Sequence, residues 1–308
     1  MREKVCFIVN PNSSNGSTGR EWPDIRQRAG ELLGPFESSL TTGPEHATQL
    51  AREAVRSGFD IVICVGGDGT FNEIINGLMD PDGPPDREVH LGFIPRGTGC
   101  DFARSIPVPH DLDKALANIL AGSVRCIDLG RLTYLDHEGR SASRYFHNVL
   151  SFGLGGEVDD RVNRTTKVFG GFVSFIWATL ISILRYDKKL IHLSVDDCFD
   201  EDVTAWNVAV ANGQYHGGGM WVAPGAAMDD GIFQVTVVGD LHTVDVFWSL
   251  PMLYNGKIYE HEKIIKLTGK RIVARASQRV LLDMDGEQPG QLPAVIEMAP
   301  SAINIICS

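Results

Sequence analysis

Three acidic side chains lie close together near the end of the chain, at Asp283, Asp285 and Glu287 in LDMDGEQ. On a strand, residues 283 and 285 share a face, and closely spaced carboxylates raise one another's pKa, which suits a general base. Gly286 breaks the strand, so we expect Glu287 or Asp285 to lean into a cleft and accept a proton, with Asp283 as buried support. A solvated turn is the alternative interpretation.

A second candidate site is a glycine-rich turn between an apolar strand-like run, IVICV, and a helical pattern that ends near Met79. The turn consists of Gly66, Gly67, Asp68, Gly69 and Thr70. Glycine turns and helix N-termini bind anions, so a phosphate site is expected beyond this strand, although the carboxylate would need a metal ion, a lysine or an arginine as mediator. A plain turn with a capping aspartate remains open.

The usual phosphate-binding motifs are absent from the sequence. No Walker GxxxxGK[ST] occurs, and GxGxxG fails because Asn72 stands at the third glycine position. A metal-hydrolase interpretation has no HExxH.

Composition limits the possible partners and location. The 308 residues suggest about two domains, and the net charge of −11 argues against a nucleic-acid partner. The six cysteines form no CxxC pair, and the N-terminus passes directly from MREK into VCFIVN without a secretory signal. We therefore expect reduced thiols and a cytoplasmic protein.

One uncharged segment, VFGGFVSFIWATLISIL at 168–184, raises the question of a membrane. It is short for a bilayer span and contains Gly-Gly. The open interpretations are a core helix, a surface helix that contacts lipid or a partner reversibly, and a transmembrane span.

The elements that must position these residues fall into two halves. Residues 1–128 alternate strand and helix signals, with a Gly/Ser-rich loop PNSSNGSTG at 11–19, which predicts a parallel sheet covered by helices on both faces. Residues 129–299 read as short strands, among them RYFHNVLSFG at 144–153, with a helical apolar insertion near 165–186. This half predicts an antiparallel β-sandwich.

The turn GGDGT, followed by Asn72 and Glu73, resembles the nucleotide-binding signature of the diacylglycerol kinase and sphingosine kinase superfamily, and especially its bacterial-type lipid kinases. Further blocks follow in the family's order: NPNSS at 10–14, FIPRGTGCDFARS at 93–105, NVLSFGLGGEV at 148–158, VANGQYHGGGMWVAPGAAMDDGIFQV at 210–235 and LDMDGEQP at 282–289. Two departures are Arg20 as the basic residue of the first loop and Cys100 where the family usually has asparagine.

The resemblance implies an α/β nucleotide-binding domain at 1–128, a β-sandwich domain at 129–299 and an active site in the cleft between them, with the tail 300–308 running back to the first domain. It implies that ATP is bound by Asn10, Ser13, Thr41 or Thr42, the turn 66–70, Gly97 and Thr98, with Asn72 and Glu73 bracing the turn.

The resemblance also implies a Mg²⁺ site in MDDGIF, made by the Asp230 carboxylate and the backbone carbonyls of Ala227 and Ile232. A hard cation takes oxygen ligands of this kind. Asp-Asp-Gly is equally a good hairpin turn, and the residues alone favour the turn.

The function expected from the resemblance is ATP-dependent phosphorylation of a lipid hydroxyl at a membrane surface, with diacylglycerol as the default acceptor. The Asp-Gly-Glu carboxylates would supply the base. The alternatives are an NAD kinase-like enzyme and a non-enzymatic nucleotide-binding homologue, and the oligomeric state is open to a homodimer.

Overall fold

The computed structural model describes residues 3–79, 88–164, 179 and 181–307. The chain forms two compact units, Met1–Asp128 with Pro300–Ser308, and Leu129–Ala299. Among the described residues, no helix has both the length and the hydropathy that a bilayer span requires. Of the apolar segment 168–184, only 179 and 181–184 are described, so its interpretation falls largely outside the described residues.

The first unit is built on parallel strands in the spatial order β2 Glu37–Leu40, β1 Val5–Val9, β3 Ile61–Gly66, β4 His90–Pro95 and β17 Gln291–Ile306. Its elements are β1 Val5–Val9, α1 Ser13–Leu33, β2 Glu37–Leu40, α2 His46–Arg56, β3 Ile61–Gly66, α3 Asp68–Leu78, β4 His90–Pro95, α4 Phe102–Ser105 and α5 Leu112–Ala121. Two strands, β5 Val124–Leu135 and β17 Gln291–Ile306, contribute residues to both units. Near its end, β17 pairs with β4 through Asn304 and Ile305.

Helices cover both faces of this parallel sheet, as expected. On one face, Trp22 of α1 and Leu116 of α5 pack with Phe7 and Ile63. On the other face, α2 and α3 contact β1 and β3 and one another. Because both faces are covered, the central strands β1 and β3 are apolar along their length, and β3 is buried at all six positions.

The second unit contains two larger antiparallel sheets and a third of only two strands. Its elements are β6 Ser141–Phe146, β7 Val149–Gly153, α6 Leu154–Arg164, β8 Lys189–Val195, β9 Phe199–Ala205, β10 Asn207–Ala211, β11 Tyr215–His216, β12 Met220–Trp221, β13 Phe233–Val238, α7 Thr243–Ser249, α8 Met252–Asn255, a 3₁₀ turn Ile258–Glu260, β14 Ile264–Gly269, β15 Arg271–Arg275 and β16 Leu282–Met284. The five-stranded sheet has the order β14-β13-β10-β7-β16.

The core of the second unit lies between its sheets. Phe152, Val208 and Leu282 of the five-stranded sheet join Ile191 and Ile272 of the other sheet in one buried cluster. The predicted antiparallel β-sandwich is therefore confirmed.

Two local expectations differ from the structure. The run RYFHNVLSFG is two strands, because β6 ends at Phe146 and β7 begins at Val149. The loop PNSSNGSTG is partly helical, since α1 starts at Ser13, although residues 14–16 have positive φ and interrupt it. The cause of the first difference is a distant carboxylate, described below.

Helices α2 and α3 approach so closely that Gly77 has no room for a side chain. A Cβ there would lie 2.4 Å from the carbonyl oxygen of Thr48 and 2.6 Å from Cβ of Ala51. We expect Gly77→Ala to destabilise the protein by about 2 kcal/mol, despite the better helix propensity of alanine.

The matched control is Gly30→Ala in α1, where the nearest atom to an added Cβ is 4.0 Å away. This exposed helical position should gain roughly 0.5–1 kcal/mol. Urea unfolding followed by circular dichroism measures both variants. Equal effects of the two substitutions would contradict the close helix packing.

Candidate functional site

The glycine turn connects β3 directly to α3. Gly67 has extended backbone angles before the helix, and Asp68 is the first helical residue. The strand–turn–helix arrangement predicted from IVICVGGDGT is therefore confirmed. A Cβ on Gly66 would lie 2.9 Å from Cβ of Thr70, so a side chain at position 66 would crowd the first turn of the helix.

A second glycine lies against this turn from the loop after β4. A Cβ on Gly97 would be 2.6 Å from the Cα of Gly67, and one on Gly67 would be 3.1 Å from the Cα of Gly97. The two backbones can approach this closely only without side chains, which leaves main-chain groups as the local surface. Thr98, the next residue, is exposed.

The carboxylate of Asp68 is tied to that second loop. It accepts hydrogen bonds from the backbone N–H groups of Asp101 at 3.1 Å and Phe102 at 3.4 Å. Asp68 therefore has a positioning role that does not require a metal ion.

Cys100 occupies the same loop in a left-handed conformation, with φ of +49°. Asparagine is among the residues that adopt this conformation most readily, so the usual family residue suits the backbone better than cysteine does. Burial, followed by the negative charge of Asp68, raises the pKa of the Cys100 thiol to about 12. The thiol is therefore a neutral packing group at physiological pH.

The first loop is fastened to the glycine turn by side chains. The Asn10 amide donates to Oγ1 of Thr70 at 2.8 Å, and the Ser13 hydroxyl donates to the backbone carbonyl of Asn10 at 2.9 Å. Oγ of Ser13 also lies 2.6 Å from Oγ1 of Thr18. The residues predicted to bind phosphate at 10–13 and at 66–70 thus lie together in the first unit.

The other residues predicted to bind or support the nucleotide make hydrogen bonds to neighbouring elements of the first unit. The Glu73 carboxylate accepts from the N–H groups of Glu45 and Ala47, both at 3.0 Å, which satisfies donors at the start of α2. The buried side chain of Asn72 accepts from Asn76 at 3.0 Å. Thr41 is buried after β2 and donates its N–H to Val9.

Of the predicted metal residues, Asp230 lies on an exposed turn, and Ala227 and Ile232 on either side of it are half-buried. Oδ1 of Asp230 accepts the N–H of Ile232 at 3.1 Å, and Gly231 has φ of +71°. The carboxylate and the carbonyls of Ala227 and Ile232 are hard oxygen donors, so their chemistry fits Mg²⁺. Among the described residues, no three His, Cys, Asp or Glu side chains are grouped as metal ligands.

The carboxylate of Asp285 is buried and accepts three successive backbone N–H groups. These come from His147 at 3.0 Å, Asn148 at 3.1 Å and Val149 at 2.9 Å. The strand breaks here because these donors point to a carboxylate rather than to a neighbouring strand. Nδ1 of His147 also lies 2.8 Å from Oδ2 of Asp285.

These contacts change the pKa of Asp285. Burial raises it, but the charge and hydrogen bonding of His147, with the N–H donors, outweigh burial and leave the pKa below its usual value. The expectation that the Asp285 side chain leans into a cleft is therefore wrong, while its role as a base stays a prediction. Its φ of +51° and that of Gly286, +85°, form a tight hairpin turn between Met284 and Glu287.

The other two acids of the cluster have different surroundings. Glu287 is partly exposed, and its Oε2 accepts from the Arg144 guanidinium at 3.1 Å. Asp283 is buried, as expected, but it also faces a cavity.

This cavity lies on the outer face of the five-stranded sheet. Its floor is a row of directly paired residues, Asp283–Ser151–Ala209–Thr236, on four adjacent strands. Their sequence neighbours point into the sandwich core because side chains alternate between faces. The row crosses three strand spacings of about 4.8 Å, or about 14 Å in all.

The walls of the cavity are almost wholly apolar. They include Leu154 and Val158 of α6, Val246 of α7, Leu253 of α8 and Trp206, and the cavity volume is about 140 Å³.

The polar end of the cavity is formed by Asp283, His216 and Ser151. Nε2 of His216 lies 2.6 Å from Oδ2 of Asp283, and the Ser151 hydroxyl donates to the same oxygen at 3.3 Å. Helix α6 packs closely against this cluster at Gly155, since a Cβ there would lie 2.3 Å from Oγ of Ser151 and 3.1 Å from Oδ2 of Asp283. The sequence interpretation missed His216 and Ser151, although both lie in blocks that carried the family resemblance.

The Asp285 carboxylate gives the protein a specific acid dependence. Because its folded-state pKa is depressed, its stabilisation is present above the unfolded pKa of about 3.9 and is lost as the pH falls through the lower folded value. We expect Asp285→Asn to cost about 3 kcal/mol at pH 7, and the difference from wild type to shrink below pH ~4.

Urea unfolding from pH 7 to pH 3 measures this dependence. Asp197→Asn, on an exposed turn of the same unit, should follow the wild-type curve. A constant gap between Asp285→Asn and wild type at all pH values would contradict the role assigned to the ionised carboxylate.

Comparison with known proteins agrees with this architecture. Residues 4–132 match the family "Diacylglycerol kinase catalytic domain", and residues 148–307 match "YegS C-terminal NAD kinase beta sandwich-like domain". Among curated relatives, the diacylglycerol kinase of Bacillus subtilis is 28% identical over 94% of this chain and 92% of its own. That of Staphylococcus carnosus is 27% identical over 96% and 92%.

Solved structures show the same fold. A diacylglycerol kinase from Bacillus anthracis has a TM-score of 0.73 at 22% identity, covering 99% of this chain and 97% of its own. Yeast NADH kinase, solved with NADH, has a TM-score of 0.55 at 12% identity, covering 100% and 84%. With both units matched in order, the chain belongs to the bacterial diacylglycerol kinase and YegS-type lipid kinase family.

Proposed function

We propose that the protein transfers the γ-phosphate of ATP to a lipid hydroxyl, with diacylglycerol as the acceptor. The observation that carries this proposal is the apolar cavity of the second unit, which has one polar end. Ligand sites of this kind are apolar with a few placed polar groups. A nicotinamide dinucleotide is polar along its length and would leave such walls without a suitable partner.

The first unit supports ATP as the phosphoryl donor. Its two glycine turns meet backbone to backbone, and the Asn10 loop is bonded to the first of them. Phosphoryl transfer depends mainly on positioning and charge neutralisation, which main-chain amides of this kind can provide. Mg²⁺ would supply further neutralising charge when bound, and Asp230 with its turn carbonyls would hold the structural ion.

The test is labelled ATP with a panel of lipids in mixed micelles, with NAD as the parallel acceptor. We expect label in diacylglycerol and none in NAD. The NAD kinase alternative draws on the fold similarity to yeast NADH kinase, and label in NAD alone would establish it. ATP binding without any transfer would identify a non-enzymatic homologue.

A substitution in α8 tests directly whether the cavity binds the lipid. Leu253 lines it, whereas the next residue, Tyr254, is exposed. We expect Leu253→Trp to fill part of the apolar volume and raise KM for long-chain diacylglycerol about tenfold, with KM for ATP unchanged. Tyr254→Trp is the control and should retain both values. Equal KM values for the lipid in the two variants would show that the cavity is not part of the acceptor site.

We assign proton abstraction to Glu287, since the Asp285 carboxylate is fully occupied. Glu287→Gln should lower kcat by roughly 10²- to 10⁴-fold while calorimetric ATP affinity stays the same. Asp197→Asn serves again as the surface control. A kcat within a few-fold of wild type would assign the base elsewhere.

We further propose that the enzyme works at a membrane surface, where its acceptor resides. Helix α7 turns Val246 to the cavity while Val244 and Trp248 are 63% and 80% exposed. Exposed tryptophan favours the bilayer interface. Trp248→Ser should weaken reversible binding to vesicles in a flotation assay. Unchanged flotation would show that this face of α7 does not contact the membrane.

A further inference from the structure

We propose that Arg144 is a positioning residue that orients the Glu287 carboxylate for proton abstraction. This inference rests on the proposed function, because it concerns the side chain to which that function assigns the base. It gives a role in the reaction to the β5–β6 arm, the antiparallel pair formed by residues 130–135 and 141–146.

The position of Arg144 on the arm is the first argument. Side chains alternate between the faces of a strand, so Arg144 shares its face with Ala142 and Phe146. Phe146 belongs to the buried core of the second unit, and Ala142 packs against that core. The residue paired with Arg144 on β5 is Leu132, which is also buried. An arginine takes a core-facing position of this kind when its guanidinium has a partner, and here the guanidinium reaches the Glu287 carboxylate.

The fixed main chain of Glu287 is the second argument. Its N–H donates to the carbonyl oxygen of Met284 at 3.0 Å, and its own carbonyl accepts the N–H of Met284 at 2.8 Å. The direction of the carboxylate is then left to the side-chain torsions, which are free in a glutamate unless a contact restrains them. Nη1 of Arg144, 3.1 Å from Oε2, supplies a charge-assisted contact of this kind. The Glu287 side chain stays 38% exposed, so its carboxylate is both oriented and accessible.

The attachment of the hairpin to the arm by other contacts is the third argument. Gly290 packs against the end of β5, where an added Cβ would lie 2.0 Å from the carbonyl oxygen of Leu135. Nε2 of His137, on the turn of the arm, lies 3.2 Å from the carbonyl oxygen of Gln288. Because these contacts reach the main chain of the segment 287–290, its place on the arm does not depend on Arg144. The arginine therefore acts on the carboxylate itself.

The experiment is a double-mutant cycle on kcat, measured with ATP and diacylglycerol in mixed micelles. Arg144→Met should lower kcat about tenfold with KM for ATP and for the lipid unchanged, because a misdirected base loses part of its roughly 10²- to 10⁴-fold contribution. In the Glu287→Gln background, the same substitution should change kcat by less than about twofold, since no base remains to be oriented. Arg144→Lys keeps a cation within reach and should recover kcat to within about threefold of wild type.

The matched control is Arg140→Met on the turn of the same arm, which removes contacts of 2.9 Å to the carboxylates of Asp136 and Glu138. It should leave kcat unchanged in both backgrounds. Urea unfolding establishes that each variant is folded. Should Arg144→Met fail to fold, Arg144→Gln takes its place in the cycle, with the same expected loss of kcat and the same dependence on Glu287.

Three results would overturn the inference: an unchanged kcat in Arg144→Met, an equal fold loss of kcat in the wild-type and Glu287→Gln backgrounds, or a raised KM for ATP, which assigns Arg144 to the nucleotide. In each case phosphorylation of diacylglycerol by wild type would leave the proposed function intact. Transfer by wild type to NAD and to no lipid would instead reject the proposed function itself.

Discussion

The carboxylate of Asp285 organises the second unit by accepting the N–H groups of three consecutive residues, 147–149. A buried carboxylate of this kind is stable only when its oxygens are satisfied, and here the main chain satisfies them. The interaction ends β6, starts β7 in a new sheet and fixes the hairpin turn at 285–286. The positions of Asp283 and Glu287 on either side of that turn follow from it.

Once the hairpin is fixed, the two-residue period of a strand separates the acids. Asp283 belongs to β16, where its neighbours Leu282 and Met284 enter the sandwich core. Asp283 must then point to the opposite face, beside Ser151 of β7. Glu287 lies beyond the turn and is partly exposed beside Arg144. Three carboxylates within five residues therefore have three separate environments.

The sequence predicts those structural features that depend on residues close together along the chain. The strand, glycine turn and helix at 61–79 are local, and their apolar pattern and glycines are sufficient to identify them. The break at His147 could not be predicted in this way, because its cause is a carboxylate 138 positions further along the chain. The unexpected burial of the Asp285 carboxylate has the same origin. The sequence indicates an Asp-Gly turn, but it does not indicate that the N–H groups of residues 147–149 bind the aspartate.

The cavity also lies beyond sequence reasoning, although each of its parts is regular. Its floor takes one residue from each of four strands, and its walls come from helices that follow different strands. The register between strands, which no short pattern encodes, decides that Ser151 meets Asp283 and that Ala209 lies next in the row. Within the row, the small side chain of Ala209 leaves volume between the polar end and Thr236. Shape and polarity of the cavity thus both derive from the register between the four strands of its floor.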